Sequence, residues 1–459
     1  MEKVKILSPT AILGYGFPVK SFEAGLEKKP DVIAVDAGSV DPGPYYLGAG
    51  KSFTQRAAVK RDLYYMLKAC VELNIPLLIG TAGGAGGRVH LMEVVEIIKE
   101  LAFENDLSFK MAVIDTEIDK EWLKDKVRQR KTKPLGNLPD LTIEEIEEAV
   151  RIVAQAGMEP FIKALKAGAQ VIVAGRAFDP AVFAAYPVAH GFDVGLSLHL
   201  GKILECAAIA TEPGSGSDCL MGELDREGFV VYPLNPERRA TPLSVSAHSL
   251  YEKTSPFELH GPGGKLDLSQ VNFQAVDDRT VRVTGTKFIK TPNYYLKIEG
   301  VKRVGFRAIS IAGSRDPKFI ENFQSIASGV KKRVEDNFPE LAGKYYLNFI
   351  AYGINGVMGA LEPENKLSHE IGIVMDVVAE DKNTAEQILS FTRSTMLHFG
   401  FPGRISTAGN LAFSFSPSDI PVGDVYNFSI HHLVEVEDPE KLFPIEHIEI
   451  GGRGGGKTY

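Results

Sequence analysis

Cysteine is scarce. Cys70, Cys206 and Cys219 are scattered through 459 residues without a Cys-x-x-Cys pair. That excludes a disulfide framework and a zinc cage, and it fits a reducing compartment. No apolar run approaches the length needed to span a bilayer, and the first residues show no signal-peptide pattern. The expectation is a cytoplasmic protein. Positive charge is in deficit. A net charge of −8 argues against a nucleic-acid surface and against an anionic membrane. His-Glu-x-x-His and Gly-x-Ser-x-Gly do not occur. His431 and His432 lie on a predicted strand, where neighbours face opposite sides, so they cannot clamp one metal.

Glycine, by contrast, is concentrated where it matters. Residues 77–79 form a short apolar run, as a strand buried on both faces would. Gly80, Gly83, Gly84, Gly86 and Gly87 follow, and then an amphipathic helix with Leu91, Val94, Val95, Ile98 and Leu101 on one face. Strand, glycine-rich turn and helix can present backbone N–H groups to an anion. Thr81, Gly83, Gly84, Gly86, Gly87 and Arg88 are therefore candidate substrate-binding residues. The competing reading is a tight turn that only needs small residues. Two further glycine patterns are weaker. Gly14-Tyr-Gly16 lacks the third glycine of a dinucleotide fingerprint. Gly451-Gly-Arg-Gly-Gly-Gly-Lys-Thr458 satisfies the P-loop expression but has no helix after it, so a flexible tail over 451–459 is expected.

Predicted strands over 3–7, 31–36, 77–79, 109–115 and 171–175 alternate with helices to about residue 210. That order predicts an α/β fold with a doubly wound, mostly parallel sheet. Polar loops follow the C-terminal ends of these strands, the edge where open α/β sheets bind ligands. Asp36, Asp41, Thr81, Asp115, Glu117, Arg176 and Asp179 should then converge. Asp36, Asp41 and Asp115 are candidate catalytic acids and bases, and Asp36 and Asp115 are candidate ligands for a divalent metal such as Mg. Tyr45 or Tyr46 could donate to a developing enolate oxygen. Arg176 is suited to hold a substrate carboxylate, with an internal salt bridge as the alternative. Asp179 reads as a helix N-cap ahead of Pro180, and Thr142 with Glu145 as a capping box on a helix running to about residue 153.

Short β runs dominate residues 216–302, including one at 243–246. The order β-α-β-β-α-β over 303–450 predicts a ferredoxin-like α+β domain. The expected division is thus 1–215, 216–302, 303–450 and the tail. Cys70 should be core, Cys219 plausibly exposed, and the basic run 126–133 a solvated helix end.

Five stretches resemble the acyclic terpene utilisation (AtuA-type) family: Ile6-Leu-Ser-Pro-Thr-Ala-Ile-Leu-Gly-Tyr-Gly-Phe, Val35-Asp-Ala-Gly-Ser-Val-Asp-Pro-Gly-Pro-Tyr-Tyr-Leu-Gly, Gly80-Thr-Ala-Gly-Gly-Ala-Gly-Gly, Ala174-Gly-Arg-Ala-Phe-Asp and Leu204-Glu-Cys-Ala-Ala. The likeness extends to about residue 360, and the later part is similar to the ferredoxin-fold domain of that family. It implies a setting in the breakdown of branched or carboxylated carbon skeletons, often as CoA thioesters. It brings no catalytic set. The residues and the resemblance together suggest a catabolic lyase or hydratase acting on a small carboxylate or acyl-CoA, as a homo-oligomer. The alternatives are a non-catalytic partner subunit and, more weakly, a nucleotide-dependent ligase or kinase.

Overall fold

The computed structural model describes residues 2–38, 42–251, 253, 255–364, 366–405 and 407–451. It is a mixed α/β structure with 14 α-helices among the described residues. The chain packs as two compact units, 1–302 with 428–459, and 303–427. The first segment of the first unit ends at Lys302, and both the β-rich stretch 216–302 and the last strand, Ile445–Ile450, belong to that unit. Asp41 and the tail 452–459 lie outside the described residues.

The first unit is built on a ten-stranded mixed sheet. Its centre is parallel, in the order Val4–Ser8, Val32–Asp36, Leu77–Gly80, Val171–Ala174, Phe109–Ile114. These strands are short and almost wholly apolar because both faces are covered. Ile6, Val32, Leu78 and Ile172 point into one core with Phe161, Val182 and Leu200. Leu7, Ile33, Ile79 and Val173 point into the other with Leu63, Leu67, Leu91 and Val95. Each such side chain, fully buried, contributes roughly 1.5–3 kcal/mol. Cys70 is in this second core, and so is Cys219, which is buried rather than exposed.

Antiparallel strands extend both edges. Leu220–Leu224 pairs with Val4–Ser8, and Gly228–Pro233, Val281–Thr284 and Asn272–Ala275 continue outward. Ile445–Ile450 pairs with Phe109–Ile114. Most of the expected β-rich insertion is therefore an extension of the main sheet. A separate three-stranded sheet holds Glu258–Gly261, Gly264–Asp267 and Lys287–Lys290. The run at 243–246 is helical, within Pro242–Leu250, because Thr241 and Ser244 form a reciprocal cap. The capping box at Thr142 is present, but its helix stops at Glu148, and Arg151–Ala154 becomes a strand paired with residues 298–301. Lys126 is not solvated. It is 5% exposed and pairs with Glu437 at 2.5 Å.

In the second unit, residues 306–314 pair antiparallel with Ile371–Ala379, which pairs in turn with Tyr345–Tyr352. Helices Phe323–Asn337 and Lys382–His398 close over this sheet through Ile326, Val330, Val334, Ile388 and Leu389. The first helical stretch is broken at Asn322, which ends Pro317–Glu321 and precedes Phe323–Asn337. Among the described residues, no helix is long and apolar enough to cross a membrane.

Candidate functional site

The glycine-rich loop leaves the central strand Leu77–Gly80 and folds back on its neighbours. Thr81 takes left-handed backbone angles, which strain a β-branched residue. Its N–H donates to Gly175 O at 2.9 Å. Gly84 and Gly86 have positive φ, and a Cβ at Gly86 would come within 2.2 Å of Arg176 N. The N–H groups turn inward: Gly84 donates to Thr81 O and Gly86 to Ala82 O. Gly83 and Gly87 are buried as well. At the N-terminus of helix Arg88–Asn105 the anion is the protein's own, since Arg88 N–H donates to Glu117 Oε2 at 2.8 Å. The turns at Gly84 and Gly86 pack closely against neighbouring protein atoms, and Glu117 occupies the helix N-terminus.

Arg88, Asp115 and Glu117 form one cluster near solvent. Arg88 pairs with Asp115 at 3.3 Å with 72% of its side chain exposed, and Asp115 accepts Glu117 N–H at 3.0 Å. Asp36 is not part of it. Two strands lie between Val32–Asp36 and Phe109–Ile114. Three inter-strand steps of ~4.8 Å separate the two carboxylates' strands by about 14 Å. One metal ion cannot bridge Asp36 and Asp115, and among the described residues no group of three or more His, Cys, Asp or Glu could hold one. Tyr45 opens the short helix Tyr45–Ala49, edge-on to Tyr46 at 5.4 Å with the Lys51 ammonium 5.9 Å from its ring.

The second cluster is buried and joins residues far apart in the chain. Arg176, 3% exposed, follows strand Val171–Ala174. Its Nε donates to Glu299 Oε2 at 3.0 Å, and its Nη1 to Asp179 Oδ1 at 2.9 Å and Thr81 Oγ1 at 3.3 Å. Glu299 also pairs with Lys297 at 3.0 Å and accepts Gln155 Nε2 at 3.1 Å. Asp179 is not the N-cap. It is the first residue of helix Asp179–Ala189, and its carboxylate is drawn to Arg176. With 30% of its side chain accessible, it is partly open to solvent.

Asp36 ends its strand beside this cluster and is 4% exposed. Its Oδ2 accepts Gly38 N–H at 3.4 Å, and its Oδ1 has no hydrogen-bond partner among the described residues. Burial raises its pKa well above the usual carboxylate range, Asp179 adds to the rise, and Arg176 opposes it. Glu299 goes the other way. Burial would raise it, but Arg176 and Lys297 together hold it down at about 2. Two carboxyl groups around one guanidinium thus have their proton affinities pushed apart.

Lys202 and Glu205 complete the arrangement. They pair at 2.6 Å with both side chains buried. The Lys202 charge favours ionised Asp179, and the Glu205 charge adds to the rise at Asp36. His248 is 6% exposed and is held down at about 4 by burial and by Lys202.

Asp36, Thr81, Arg176 and Asp179 were singled out from the sequence, and the fold brings them together. Asp115, Glu117 and Arg88 sit in the other cluster. Lys202 and Glu299 escaped sequence reading. Glu205 lies inside Leu204-Glu-Cys-Ala-Ala but had been given no role. The signal for Glu299 was a carboxylate in the stretch Ile298-Glu-Gly-Val301 of the strand Tyr294–Ser314, where a buried charge requires a partner. For Lys202 it was the one ammonium in the mostly apolar helix Val194–Leu204.

Residues 51–406 of the 459 match the model of the acyclic terpene utilisation family protein AtuA. No curated protein and no solved structure matches the chain. The matched range holds Thr81, Arg176, Asp179, Lys202, Glu205 and Glu299, with Asp36 preceding it, and it spans well over half the chain: this protein belongs to the acyclic terpene utilisation (AtuA) family.

Proposed function

We propose that the chain is a catabolic enzyme of the lyase or hydratase type, acting on a small carboxylate or its CoA ester. The observation that carries this reading is the buried Asp36 carboxyl, with one oxygen unpaired beside the Arg176 network. Adding water across a double bond next to a carbonyl needs a proton delivered to one carbon and hydroxide to the other. A carboxyl whose burial raises its proton affinity above the usual carboxylate range is suited to that transfer. Arg176 anchors the substrate's carboxylate or thioester carbonyl. Asp179, partly accessible to solvent, competes with it for the guanidinium and so sets its affinity.

In this reading Asp115 and Arg88 brace the loop, and Tyr45 stays a candidate donor to an enolate oxygen. The first unit is taken as doubly wound, since helices cover both faces of its parallel centre. The second is taken as ferredoxin-like from its strand order Tyr345–Tyr352, Ile371–Ala379, Tyr294–Ser314, Asp419–Val436. A cytoplasmic location is expected. The test is hydration of α,β-unsaturated acids and their CoA thioesters by the full chain, beside Asp36→Asn. Turnover by the wild type and its loss in the variant support the proposal. Intact binding and turnover in the variant would sink it.

One observation favours a second reading, a subunit that works in an assembly. In the second unit Val357 and Leu361, four residues apart, are 86% and 79% exposed, and neighbouring exposed apolar residues mark association. Activity appearing only with a co-expressed partner would favour that reading. A homo-oligomer in native mass spectrometry, active alone, would favour the first.

A further inference from the structure

The first unit carries a cavity of about 550 Å³ that the Arg176 network does not use. Met158, Val194, Pro262, Phe288 and Pro292 supply its apolar wall. At its polar end Tyr294 Oη donates to Glu159 Oε2 at 2.7 Å. Gly157 makes room for that pair. A Cβ there would come within 2.3 Å of Tyr294 Oη and 2.4 Å of Glu159 Oε2. Burial raises Glu159 above the usual carboxylate range and Tyr294 well above the usual phenol range. A concave apolar wall of this size with one hydrogen-bonding pair is the usual make-up of a small-molecule site.

Charge narrows the ligand. Lys290 is the one cation among the lining residues, against Glu159, Glu437, Asp438 and Glu440. An anionic head group would meet a net excess of carboxylates. The rim acids already have internal partners: Glu437 pairs with Lys126 and Lys131, and Asp438 with Lys441. That weakens the attraction for a cation. A neutral hydroxyl meets neither penalty, and it both donates and accepts, as the Tyr294–Glu159 pair does.

We propose that this cavity is a second binding site, specific for an apolar alcohol whose hydroxyl bonds to the Glu159–Tyr294 pair while its hydrocarbon lies along Pro262 and Phe288. The site selects against the carboxylates that the Arg176 network would bind.

The test is calorimetric titration of the full chain with 1-octanol, octanoate and octylamine. Octanol should bind, and octanoate should bind at least about tenfold more weakly. Glu159→Gln and Tyr294→Phe should each weaken octanol about tenfold, whereas Asp36→Asn should leave octanol binding unchanged. The two variants alter opposite halves of the pair, so either one that folds, as read by circular dichroism, serves. Should both unfold, the wild-type preference for octanol over octanoate decides. The proposal is overturned if octanol does not bind, if octanoate or octylamine binds as tightly, or if folded variants bind octanol like the wild type.

Discussion

Two charge clusters sit past the ends of parallel strands in the first unit, and they differ in what water does to them. Around Arg88, Asp115 and Glu117 the guanidinium is 72% exposed, so solvent screens the pair. Around Arg176 the same residue types are 3% and 2% exposed at the Arg176–Glu299 contact. There each charge needs its partner, and Asp36 at the edge of the cluster is pushed toward its neutral form. The sequence shows little difference between the two, since both put acids and an arginine in loops after apolar strands. The fold separates them: residues 298–301, paired with Arg151–Ala154, bring Glu299 to Arg176 from more than a hundred positions away.

Breaking the buried cluster has the largest expected effect. Arg176→Met leaves Glu299 without its main partner, and the first unit should lose about 3–5 kcal/mol. Urea unfolding followed by Trp122, the chain's single tryptophan and packed against that unit's core, measures it. Next comes the turn against it. Gly86→Ala puts a side chain on a backbone at φ +69° and into Arg176 N, and should cost about 1–3 kcal/mol by the same measurement. Titration gives a third contrast. Glu299 is held at about 2 against an ordinary 4.5, so its contribution is present above pH 4.5 and fades as pH falls through about 2. In Glu299→Gln, the fall in stability between those two pH values should be shallower than in the wild type. The smallest effect belongs to the exposed cluster: Arg88→Ala should change stability by less than about 1 kcal/mol, and less still at high salt.

What could be read from the sequence follows the range of the forces involved. The five parallel strands were legible because burial on both faces demands unbroken apolar runs. The capping box at Thr142 was legible because its signal is local. Local signals failed where a distant partner decided the outcome. Arg151–Ala154 continues a helical pattern in sequence but pairs with residues 298–301. Asp179 has the chemistry of a cap, yet Arg176 claims its carboxylate. Lys126 looks solvated in sequence until Glu437 arrives from the far end of the chain. At the site, sequence pattern identified the residues at strand ends, Asp36, Thr81 and Arg176. Glu299 and Lys202 join them only once separate segments meet, and Asp115 lies beyond two intervening strands.

The measurement that bears most directly on the account is Asp36→Asn, read for stability and turnover together. In the folded wild type this carboxyl keeps its proton to higher pH than in the unfolded chain. Its favourable contribution is full at low pH and is lost as pH rises through the folded value. A permanently neutral isostere removes that loss. The account predicts a variant more stable than the wild type at pH 7, by on the order of 1 kcal/mol, with no stability gain at pH 3 and with hydration of unsaturated acyl-CoA thioesters abolished. A variant that is destabilised at pH 7, or that hydrates these thioesters as fast as the wild type, would contradict it.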